Sequence, residues 1–343
     1  MQKVVITGMG VASPLGNGLQ TFWENLLAGR SGVGALEGEE FAGLRSRIGA
    51  KVVPFAEGDY FSHKEGRRMS RSSQLALVAA AGALRQADLL NNGCDRDEVA
   101  TVIGSSIGGF SASDPFFRDY YRHERASPLV IPISMNVGPS AQVAIRYGFK
   151  GPLFTVDAAC ASAAHSIGYA FNLIRAGLVE IAVTGGADSP FSRGVVEAWC
   201  CLRALSERND DPAHACRPFS ADRDGMALGE GAGVLVLESE ESALRRGQPI
   251  LAEVRGYGAS SDGHHITQPT PEGPARAMRR ALKDAGLALD EVDAINAHAT
   301  GTLWNDKVET AAIKDVFGER AYDLPIVGNK AALGHSIGGS GAL

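Results

Sequence analysis

Residues 153–177 read Leu-Phe-Thr-Val-Asp-Ala-Ala-Cys-Ala-Ser-Ala-Ala-His-Ser-Ile-Gly-Tyr-Ala-Phe-Asn-Leu-Ile-Arg-Ala-Gly, and this stretch decides the fold. It opens with an apolar strand, Leu153–Val156, and passes through a short turn into a helix predicted over Ala161–Ala176. From residue 159 onward the only charged side chain is Arg175, and small residues dominate the first half. A helix that is apolar or small on all sides is usually buried. We therefore predict a central helix that packs closely against its neighbours.

Strands and helices alternate outward from this stretch. Several of the predicted strands are almost wholly apolar, as strands covered on both faces are. The predicted strands are Val4–Thr7, Val99–Ile103, Leu153–Val156, Ile181–Thr184, Gly233–Leu237, Leu251–Gly256 and Val292–Asn296. The predicted helices are Ser70–Ala87, Ala161–Ala176, Pro274–Ala285 and Asp306–Phe317. This alternation favours an α/β fold.

The composition of the 343-residue chain is that of a globular protein, with 45% apolar and 21% charged residues. The net charge of −6 and the absence of a Lys/Arg-rich run give no reason to expect nucleic-acid binding. No apolar run is long enough to span a bilayer, and the N-terminus lacks the pattern of a signal peptide. The five cysteines include no Cys-x-x-Cys pair, which argues against a disulfide framework or a zinc site and for a reducing compartment. We therefore expect a cytoplasmic protein that binds neither nucleic acid nor membrane.

Residues 245–249, Arg-Arg-Gly-Gln-Pro, are the best candidate for a boundary between two lobes. They follow a charged helix and precede a new strand, where a linker between domains is expected. The predicted lobes are 1–247 and 248–343. They show no close sequence repeat, although each contains a strand, a tight turn and a helix rich in small residues.

Four residues with reactive side chains lie where a strand passes into a helix: Cys160, His298, Lys330 and His335. In α/β folds, active-site groups collect at the ends of strands. Taken singly, each residue has a commoner explanation as a small buried cysteine, a loop histidine, a surface lysine or a turn histidine. Their shared placement favours a catalytic site instead.

Cys160 carries the strongest chemical argument, because it precedes the predicted central helix. Backbone N–H groups at a helix N-terminus favour negative charge. We expect this field to lower the pKa of the Cys160 thiol, and we expect the backbone N–H of Cys160 to bind an oxyanion. Lys330 is placed to bias the charge and hydrogen bonding of the nearby His335 imidazole.

Other segments carry weaker signals. Gly104–Gly109 lacks both the Gly-x-Gly-x-x-Gly spacing and a Walker lysine, and Gly225–Gly233 leads into a strand rather than a helix. We reject nucleotide binding at both segments. His165, inside the central helix, is interpreted as a core histidine whose hydrogen bonds are satisfied.

Five sets of residues along the chain form recognisable motifs. They are Val4–Gly10 with Ser13–Gly16, Asp157–Ser162 around Cys160, Arg217–Gly225 with Gly229–Gly233, His298–Thr302 with Asn305, Asp306 and Glu309, and Lys330 with Gly334, His335 and Gly338. These motifs resemble those of the β-ketoacyl-[acyl-carrier-protein] synthase family, in particular its elongating, synthase II-like type. The resemblance covers essentially the whole chain, and the motifs occur in the family's order.

The resemblance implies an α/β, thiolase-like fold of five α-β-α-β-α layers, built from two similar halves and usually assembled as a homodimer. The half at 1–247 would carry the nucleophile, and the half at 248–343 both catalytic histidines. The implied activity is that of a 3-oxoacyl-[acyl-carrier-protein] synthase, an acyltransferase of fatty-acid or polyketide biosynthesis whose partner is acyl carrier protein. Cys160 would hold the acyl chain as a thioester, malonyl-carrier protein would lose carbon dioxide, and the resulting carbanion would attack the thioester.

The resemblance also assigns roles around the two histidines. His298 and His335 would hydrogen-bond the thioester oxygen and stabilise the developing enolate. Lys330 would tune and position them, with Glu309 as its partner. Asp306 would support the first histidine motif.

The implied substrate-binding residues are Thr300 and Thr302 at the pantetheine arm, Ile107 as the gate of the acyl pocket, and Phe110 beside it. The pantetheine arm arrives on the carrier protein, so the resemblance implies no separate cofactor and no metal.

The chain also departs from the family pattern. Ala299 stands where the family usually has Gly, a mild steric change, and Met226 stands where an aromatic residue is common. The family segment that would follow Leu343 carries the last strands and a Gly-Phe-Gly-rich loop, which supplies an oxyanion N–H and a phenylalanine gate. We therefore expect an incomplete second half and a 343-residue chain that is poorly soluble or inactive.

Two alternatives to a carrier-protein condensing enzyme follow from the same residues. Thiolases and initiating synthases that use coenzyme A have a Cys-His-Cys or Cys-His-Asn set, and the second histidine after Lys330 argues against them. A non-catalytic partner subunit, such as a chain-length factor, typically lacks the nucleophile. The presence of Cys160 with both histidines argues against that alternative.

Overall fold

The computed structural model describes residues 1–343, which form a large mixed sheet, a small three-stranded sheet and a two-stranded sheet, with helices packed against them. The strands are β1 (Val4–Ser13), β2 (Gly16–Asn17), β3 (Gly34–Ala35), β4 (Ile48–Ala50), β5 (Ala100–Gly104), β6 (Leu153–Phe154), β7 (Ile181–Asp188), β8 (Leu228–Gly229), β9 (Gly231–Ser239), β10 (Ala252–Val254), β11 (Ile295–Asn296) and β12 (Ile326–Val327). The α-helices are α1 (Leu19–Leu27), α2 (His63–Gly66), α3 (Arg71–Gln86), α4 (Gly108–His123), α5 (Val130–Ser134), α6 (Gly138–Tyr147), α7 (Ser162–Arg175), α8 (Arg193–Cys201), α9 (Glu240–Arg245), α10 (Glu272–Ala285), α11 (Leu303–Phe317) and α12 (Lys330–Leu333).

The main sheet has the strand order β10-β1-β9-β7-β5-β6, with β2 paired to β1. Strands β7, β5 and β6 run parallel, whereas β9 is antiparallel to both β7 and β1. Every residue of β5 and β7 is buried, as their apolar sequences predict. Because β5, β6 and β7 are parallel, their carboxyl ends meet at one edge of the sheet. The loops that follow these strands are therefore brought together there.

Helices cover both faces of this sheet. On one face, α3 and α6 contribute to the largest hydrophobic cluster together with β1, β7 and β9. On the other face, α7 packs through Ala170, Phe171 and Ile174. The close approach of α7 depends on two strand glycines. A Cβ added at Gly104 would lie 2.4 Å from the Ser162 carbonyl carbon, and one at Gly186 would lie 2.4 Å from the Ala163 Cβ.

The prediction that α7 is a buried central helix is only partly correct. Its sheet-facing side is buried, but Ala164 and Tyr169 are exposed, and Ala161 before it is exposed as well. The physical reason is that α7 packs on the sheet through one side only, whereas Ala161 and Ala164 on the other side line an open cavity. His165 is half-buried, and its Nδ1 contacts the Tyr257 hydroxyl.

The C-terminal part is smaller. Strands β11 and β12 form a parallel pair, with Ile295 opposite Ile326. Helices α10 and α11 pack together around a cluster that includes Ala275, Ile313 and Phe317. The segments that carry His298 and His335 follow β11 and β12, respectively. The division into lobes 1–247 and 248–343 stays a prediction, and β10, which follows the predicted boundary, pairs with β1 in the main sheet.

The predicted elements all occur, with shifted ends. Strand β1 continues past Thr7 to Ser13, because its pairing with β9 resumes after an irregularity between Ile6 and Gly8. The strands predicted at 251–256 and 292–296 shorten to β10 and β11. No helix combines the length and the apolar character that crossing a membrane requires.

Candidate active site

Cys160 lies in the tight turn between β6 and α7. The turn is held by Ser162, whose Oγ accepts a hydrogen bond from the Ala158 N–H at 2.9 Å and donates one to the Ala159 carbonyl at 2.7 Å. Ala159 has a left-handed backbone with φ of 48°, which is uncommon for a residue other than glycine. This conformation directs the chain sharply from strand to helix, and it leaves Cys160 two residues before the first residue of α7.

The pKa of the Cys160 thiol shifts in the direction opposite to our prediction. Burial raises the pKa of Cys160, and the positive charge of Lys330 counteracts only part of that rise. The expected lowering assumed a helix N-terminus in contact with water, whereas the sulfur lies among apolar side chains. The raised pKa favours the thiol form of Cys160, and a nearby hydrogen-bond donor would stabilise the sulfur in its charged form.

His335 supplies that donor. Its Nε2 lies 3.1 Å from the Cys160 Sγ. Its Nδ1 accepts a hydrogen bond from the Ile337 backbone N–H at 3.1 Å and lies 2.8 Å from the Ser340 Oγ. Because a backbone amide can only donate, Nδ1 is unprotonated and the proton of the neutral ring is on Nε2, directed at the sulfur.

The position of His335 is fixed by both its backbone and its burial. Its N–H donates to the Ala227 carbonyl at 2.7 Å, and its carbonyl accepts from the Gly229 N–H at 2.9 Å. Burial, with smaller effects of His298 and Lys330, lowers the pKa of His335 well below its usual value. The imidazole is therefore neutral near pH 7 and acts as a hydrogen-bond donor rather than as a cation.

His298 is held differently, through its backbone. Glu309 accepts hydrogen bonds from the N–H groups of His298 at 2.6 Å and Ala299 at 2.8 Å. The Lys330 Nζ donates to the His298 carbonyl at 2.6 Å. The His298 ring meets the His335 ring edge to face, with 5.3 Å between centroids. Burial, followed by the charge of Lys330, lowers the pKa of His298 to about 3, so this imidazole is also neutral near pH 7.

The predicted pairing of Lys330 with Glu309 is not a direct contact. The Lys330 ammonium hydrogen-bonds the His298 carbonyl, and the Glu309 carboxylate is occupied by the two backbone amides. Burial lowers the pKa of Lys330, while the negative charge of Glu309, and that of Cys160 in its thiolate form, oppose that shift. Glu309 therefore influences Lys330 through its charge and holds the His298 segment through hydrogen bonds.

Asp306 also holds the segment that follows His298 in place. Its buried carboxylate accepts hydrogen bonds from the Phe219 N–H at 2.7 Å and the Gly301 N–H at 3.1 Å, and it lies 3.6 Å from the Arg223 Nε. The hydroxyls of Thr300 and Thr302 are 2.9 Å apart, and the Thr302 Oγ1 accepts from the Asn305 N–H, which caps α11.

A cavity of about 540 Å³ opens beside Cys160, lined by residues that include Cys160, His298, Asn305, Glu309 and Lys330. Its volume and its convergent polar groups are those of a small-molecule site. Thr300 and Thr302 do not line this cavity. Their predicted contact with a pantetheine arm therefore stays a prediction.

The two predicted acyl-pocket residues have different environments. The Ile107 side chain packs against the same hydrophobic cluster as Cys160. Phe110, in the first turn of α4, is 66% exposed and does not line the cavity beside Cys160. It lies on the outer side of α4, where aromatic residues such as Phe117 and Tyr121 are also exposed.

The sulfur of Cys160 and one ring nitrogen from each of His298 and His335 lie within 4.8 Å of one another, close enough to resemble a metal site. The hydrogen bond from Ile337 argues against that use, because it leaves the proton on the His335 nitrogen that faces the sulfur. The arrangement is better suited to donating hydrogen bonds to a thiolate or an enolate oxygen.

Asp188 is a residue of this region that the sequence analysis missed. It ends β7, is fully buried, and accepts hydrogen bonds from the loop that holds Ile107 and from the Gly338 N–H near His335. The signal was present in the sequence, since a single acidic residue closes the strand Ile-Ala-Val-Thr-Gly-Gly-Ala-Asp over 181–188. Charged residues are rarely fully buried without a specific reason.

Comparisons with known proteins agree with this geometry. Residues 1–243 match the model of the beta-ketoacyl synthase N-terminal domain, and residues 251–343 match that of the C-terminal domain. The 3-oxoacyl-[acyl-carrier-protein] synthase 2 of Synechocystis sp. is 39% identical, over 100% of this chain and 83% of its own length. The Staphylococcus aureus protein of the same name is 40% identical over the same shares.

The solved structure of the ishigamide ketosynthase/chain length factor superimposes with a TM-score of 0.92 at 36% identity, covering 99% of this chain and 83% of that one. The predicted thiolase-like ketosynthase fold is thereby confirmed. The family models cover nearly all of the sequence. The chain belongs to the beta-ketoacyl synthase family.

Proposed function

We propose that this chain is a 3-oxoacyl-[acyl-carrier-protein] synthase that condenses a Cys160-bound acyl chain with malonyl-acyl carrier protein in fatty-acid biosynthesis. The observation that carries the proposal is the His335 Nε2–H directed at the Cys160 sulfur across 3.1 Å, beside a second neutral imidazole. The curated relatives bear the name of this activity.

In the first half-reaction, Cys160 attacks the acyl thioester carried by acyl carrier protein. A bond forms between the Cys160 sulfur and the acyl carbon, and the bond from that carbon to the pantetheine sulfur breaks. The thiol proton of Cys160 ends on the departing pantetheine sulfur. The His335 Nε2–H stabilises the charge that develops on the Cys160 sulfur, which burial otherwise disfavours.

In the second half-reaction, malonyl-acyl carrier protein enters and loses carbon dioxide. The electron pair of the broken C–C bond passes into an enolate, whose oxygen receives hydrogen bonds from the neutral imidazoles of His298 and His335. The enolate carbon then attacks the acyl carbon on Cys160. The carbon–sulfur bond breaks, the 3-oxoacyl product leaves on the carrier protein, and the cysteine is regenerated after it takes up a proton.

The partners follow from this reaction. Acyl carrier protein delivers both substrates, and its phosphopantetheine arm makes a separate cofactor unnecessary. We further propose a homodimer in the cytoplasm. In support of a dimer, α4 and α5 leave Phe110, Phe117, Tyr121 and Ile131 at least half exposed, and a second copy would cover such apolar groups.

The alternatives remain less well supported. A chain-length-factor-like subunit needs no nucleophile, whereas Cys160 is aligned with a protonated imidazole nitrogen. An enzyme of the thiolase type uses a second cysteine or an asparagine where this chain places His335.

The test is an elongation assay with purified acyl- and malonyl-acyl carrier proteins, in which mass spectrometry follows the 3-oxoacyl product and the acyl adduct on Cys160. Product formed by the 343-residue chain would also overturn the expectation that this chain is poorly soluble or inactive. We expect the Cys160→Ala variant to form neither. The matched control is Cys201→Ala, because Cys201 is an exposed free cysteine on α8, and this variant should keep wild-type activity. A Cys160→Ala variant that condenses at the wild-type rate would contradict the proposal.

A further inference from the structure

The mechanism above leaves one fully buried acid at the active-site edge without a role. The Asp188 carboxylate accepts hydrogen bonds from the Ser105 Oγ at 3.0 Å, from the Ser106 N–H at 3.0 Å and Oγ at 3.1 Å, and from the Ile107 N–H at 3.3 Å. It also accepts one from the Gly338 N–H at 2.9 Å. A buried carboxylate is costly unless its hydrogen-bond capacity is filled, and here donors from two separate segments fill it.

Those segments are the Ile107 loop (residues 105–107), which immediately precedes α4, and the His335 turn (residues 334–340). The first carries the predicted gate of the acyl pocket, and the second carries the imidazole that faces Cys160. Their backbones meet closely, because a Cβ added at Gly338 would lie 2.8 Å from the Ser106 nitrogen and 2.7 Å from the Asp188 Oδ2. The Asp188 side chain hydrogen-bonds both segments at this contact.

Two successive amides of the His335 turn connect Asp188 with the imidazole. The Ile337 N–H donates to the His335 Nδ1, and the next amide, that of Gly338, donates to Asp188. Ile337 has φ of 43°, a left-handed conformation that is unfavourable for a β-branched residue. Such a conformation persists only where the surrounding structure holds it. The hydrogen bond from Gly338 to Asp188 is one contact that holds it.

We propose that Asp188 is a positioning residue for the condensation, which joins the Ile107 loop to the His335 turn and so keeps the His335 Nε2–H directed at the Cys160 sulfur. This inference rests on the proposed function for its kinetic consequences, although the geometry it describes does not depend on the substrate. Burial raises the pKa of Asp188, and the hydrogen bonds from Ser106, Ile107 and Gly338 oppose that rise.

The first test is Asp188→Asn. The Asn side chain has the same shape, but one carboxylate oxygen is replaced by an NH₂ group. This NH₂ group would face the N–H and O–H donors that the oxygen now accepts from, so the two segments should move apart. A displacement of about 1 Å at a catalytic group costs roughly 100-fold in rate, and we expect kcat for condensation to fall by about that factor with KM for malonyl-acyl carrier protein nearly unchanged. The ¹⁵N NMR signals of the His335 ring should change from a single Nε2–H tautomer to a mixture.

The matched control is Glu238→Gln. Glu238 is another fully buried carboxylate in the same sheet, where it accepts from the Thr7 and Ser242 hydroxyls and pairs with Arg246. Its register partner on β7 is Ile181, at the end of that strand opposite to Asp188. This variant should lower the melting temperature while leaving kcat and the His335 signals at wild-type values. It therefore separates a loss of stability from a loss of positioning.

The second variant, Gly338→Ala, keeps the charge of Asp188 and disturbs the same contact from the other side, with the Cβ 2.7 Å from Asp188 Oδ2. It should reproduce the loss of kcat and the mixture of His335 tautomers, and it carries the test if Asp188→Asn fails to fold. Wild-type kcat in either folded variant overturns the inference, as does a fall in kcat with an unchanged His335 spectrum. If the wild-type protein does not condense its substrates, the proposed function fails, and the His335 spectra still decide the role of Asp188.

Discussion

The segment around His298 and the His335 turn place two imidazoles side by side, but only one of the rings is itself held by hydrogen bonds. The His335 ring is fixed in addition to its backbone, since Nδ1 accepts from Ile337 and Nε2 faces Cys160. His298 is fixed through its backbone, with its N–H on Glu309 and its carbonyl on Lys330. The His298 ring itself has no hydrogen-bond partner in the protein and lines the cavity beside Cys160. One imidazole thus has a fixed tautomer, and the other takes the tautomer that its ligand requires.

This difference indicates that the two imidazoles act mainly in different steps of the reaction. The His335 proton is already directed at the cysteine, so its contribution should begin with acylation of Cys160. The His298 ring faces the cavity through which a substrate approaches, so its contribution should be largest when the malonyl group is bound. Both imidazoles are neutral near pH 7, because burial lowers the pKa of each, and both can therefore act as hydrogen-bond donors without carrying charge.

The largest expected effect is that of His335→Ala. The change removes the donor at the Cys160 sulfur, and loss of one preorganised donor of this kind costs about 100- to 1,000-fold in kcat. We expect acylation of Cys160 and condensation to slow together, as measured by intact-mass time courses and product formation. The His335→Gln variant, whose amide nitrogen approximates Nε2, should recover part of the acylation rate. Normal acylation in His335→Ala would show that the contact with the sulfur is not functional.

His298→Ala should have a smaller and more selective effect. We expect condensation to fall by about 100-fold, the lower end of the range for an oxyanion donor. Acylation of Cys160 should be nearly unchanged, because no hydrogen bond joins the His298 ring to the sulfur. The measurement compares the rate of the acyl adduct with the rate of carbon dioxide release from malonyl-acyl carrier protein. Equal losses in both steps would show that the two imidazoles share a single role.

The clustering of the candidate catalytic residues could be predicted from the sequence, because Cys160, His298, Lys330 and His335 all follow strands whose apolar patterns are clear. The structure confirms that Cys160 and His335 are in contact. What the sequence could not provide is which atoms meet. The tautomer of His335 depends on a single amide in a left-handed turn at Ile337, and no local pattern specifies that hydrogen bond.

Two other expectations depended on tertiary contacts that a linear pattern does not contain. The pKa of Cys160 was predicted to fall from its place before a helix, but burial dominates and raises it. The Glu309 side chain was expected to meet Lys330, but it is captured by the amides of His298 and Ala299. Cys160 is buried by segments that lie far apart in the sequence, and Glu309 is bound by backbone amides. Residue types alone reveal neither interaction.

Glu309→Gln tests whether the backbone hydrogen bonds of His298 and Ala299 position the His298 ring. The carboxylate accepts from two adjacent amides, and charged hydrogen bonds contribute about 1.5–3 kcal/mol each. We expect condensation to fall by about tenfold, the equivalent of about 1.4 kcal/mol, with little change in acylation of Cys160. Asp315→Asn on the same helix is the control, because Asp315 forms only an exposed ion pair with Arg279. A Glu309→Gln variant with the kinetics of this control would show that the His298 segment holds its position without the carboxylate.

Lys330→Gln should have the smallest effect, and its sign follows from the charges. The positive charge of Lys330 lowers the pKa of Cys160, so removing that charge should move the pH midpoint of Cys160 alkylation by iodoacetamide to higher values. Burial lowers the pKa of Lys330 itself, so the wild-type protein also loses this charge as the pH rises. The ratio of the wild-type alkylation rate to that of the variant should therefore be largest near neutral pH and approach one at alkaline pH. Lys307→Gln, an exposed neighbour on α11, should match the wild type throughout. A midpoint that moves to lower pH in Lys330→Gln would mean that the hydrogen bond to the His298 carbonyl, rather than the charge, is the means by which Lys330 acts on the nucleophile.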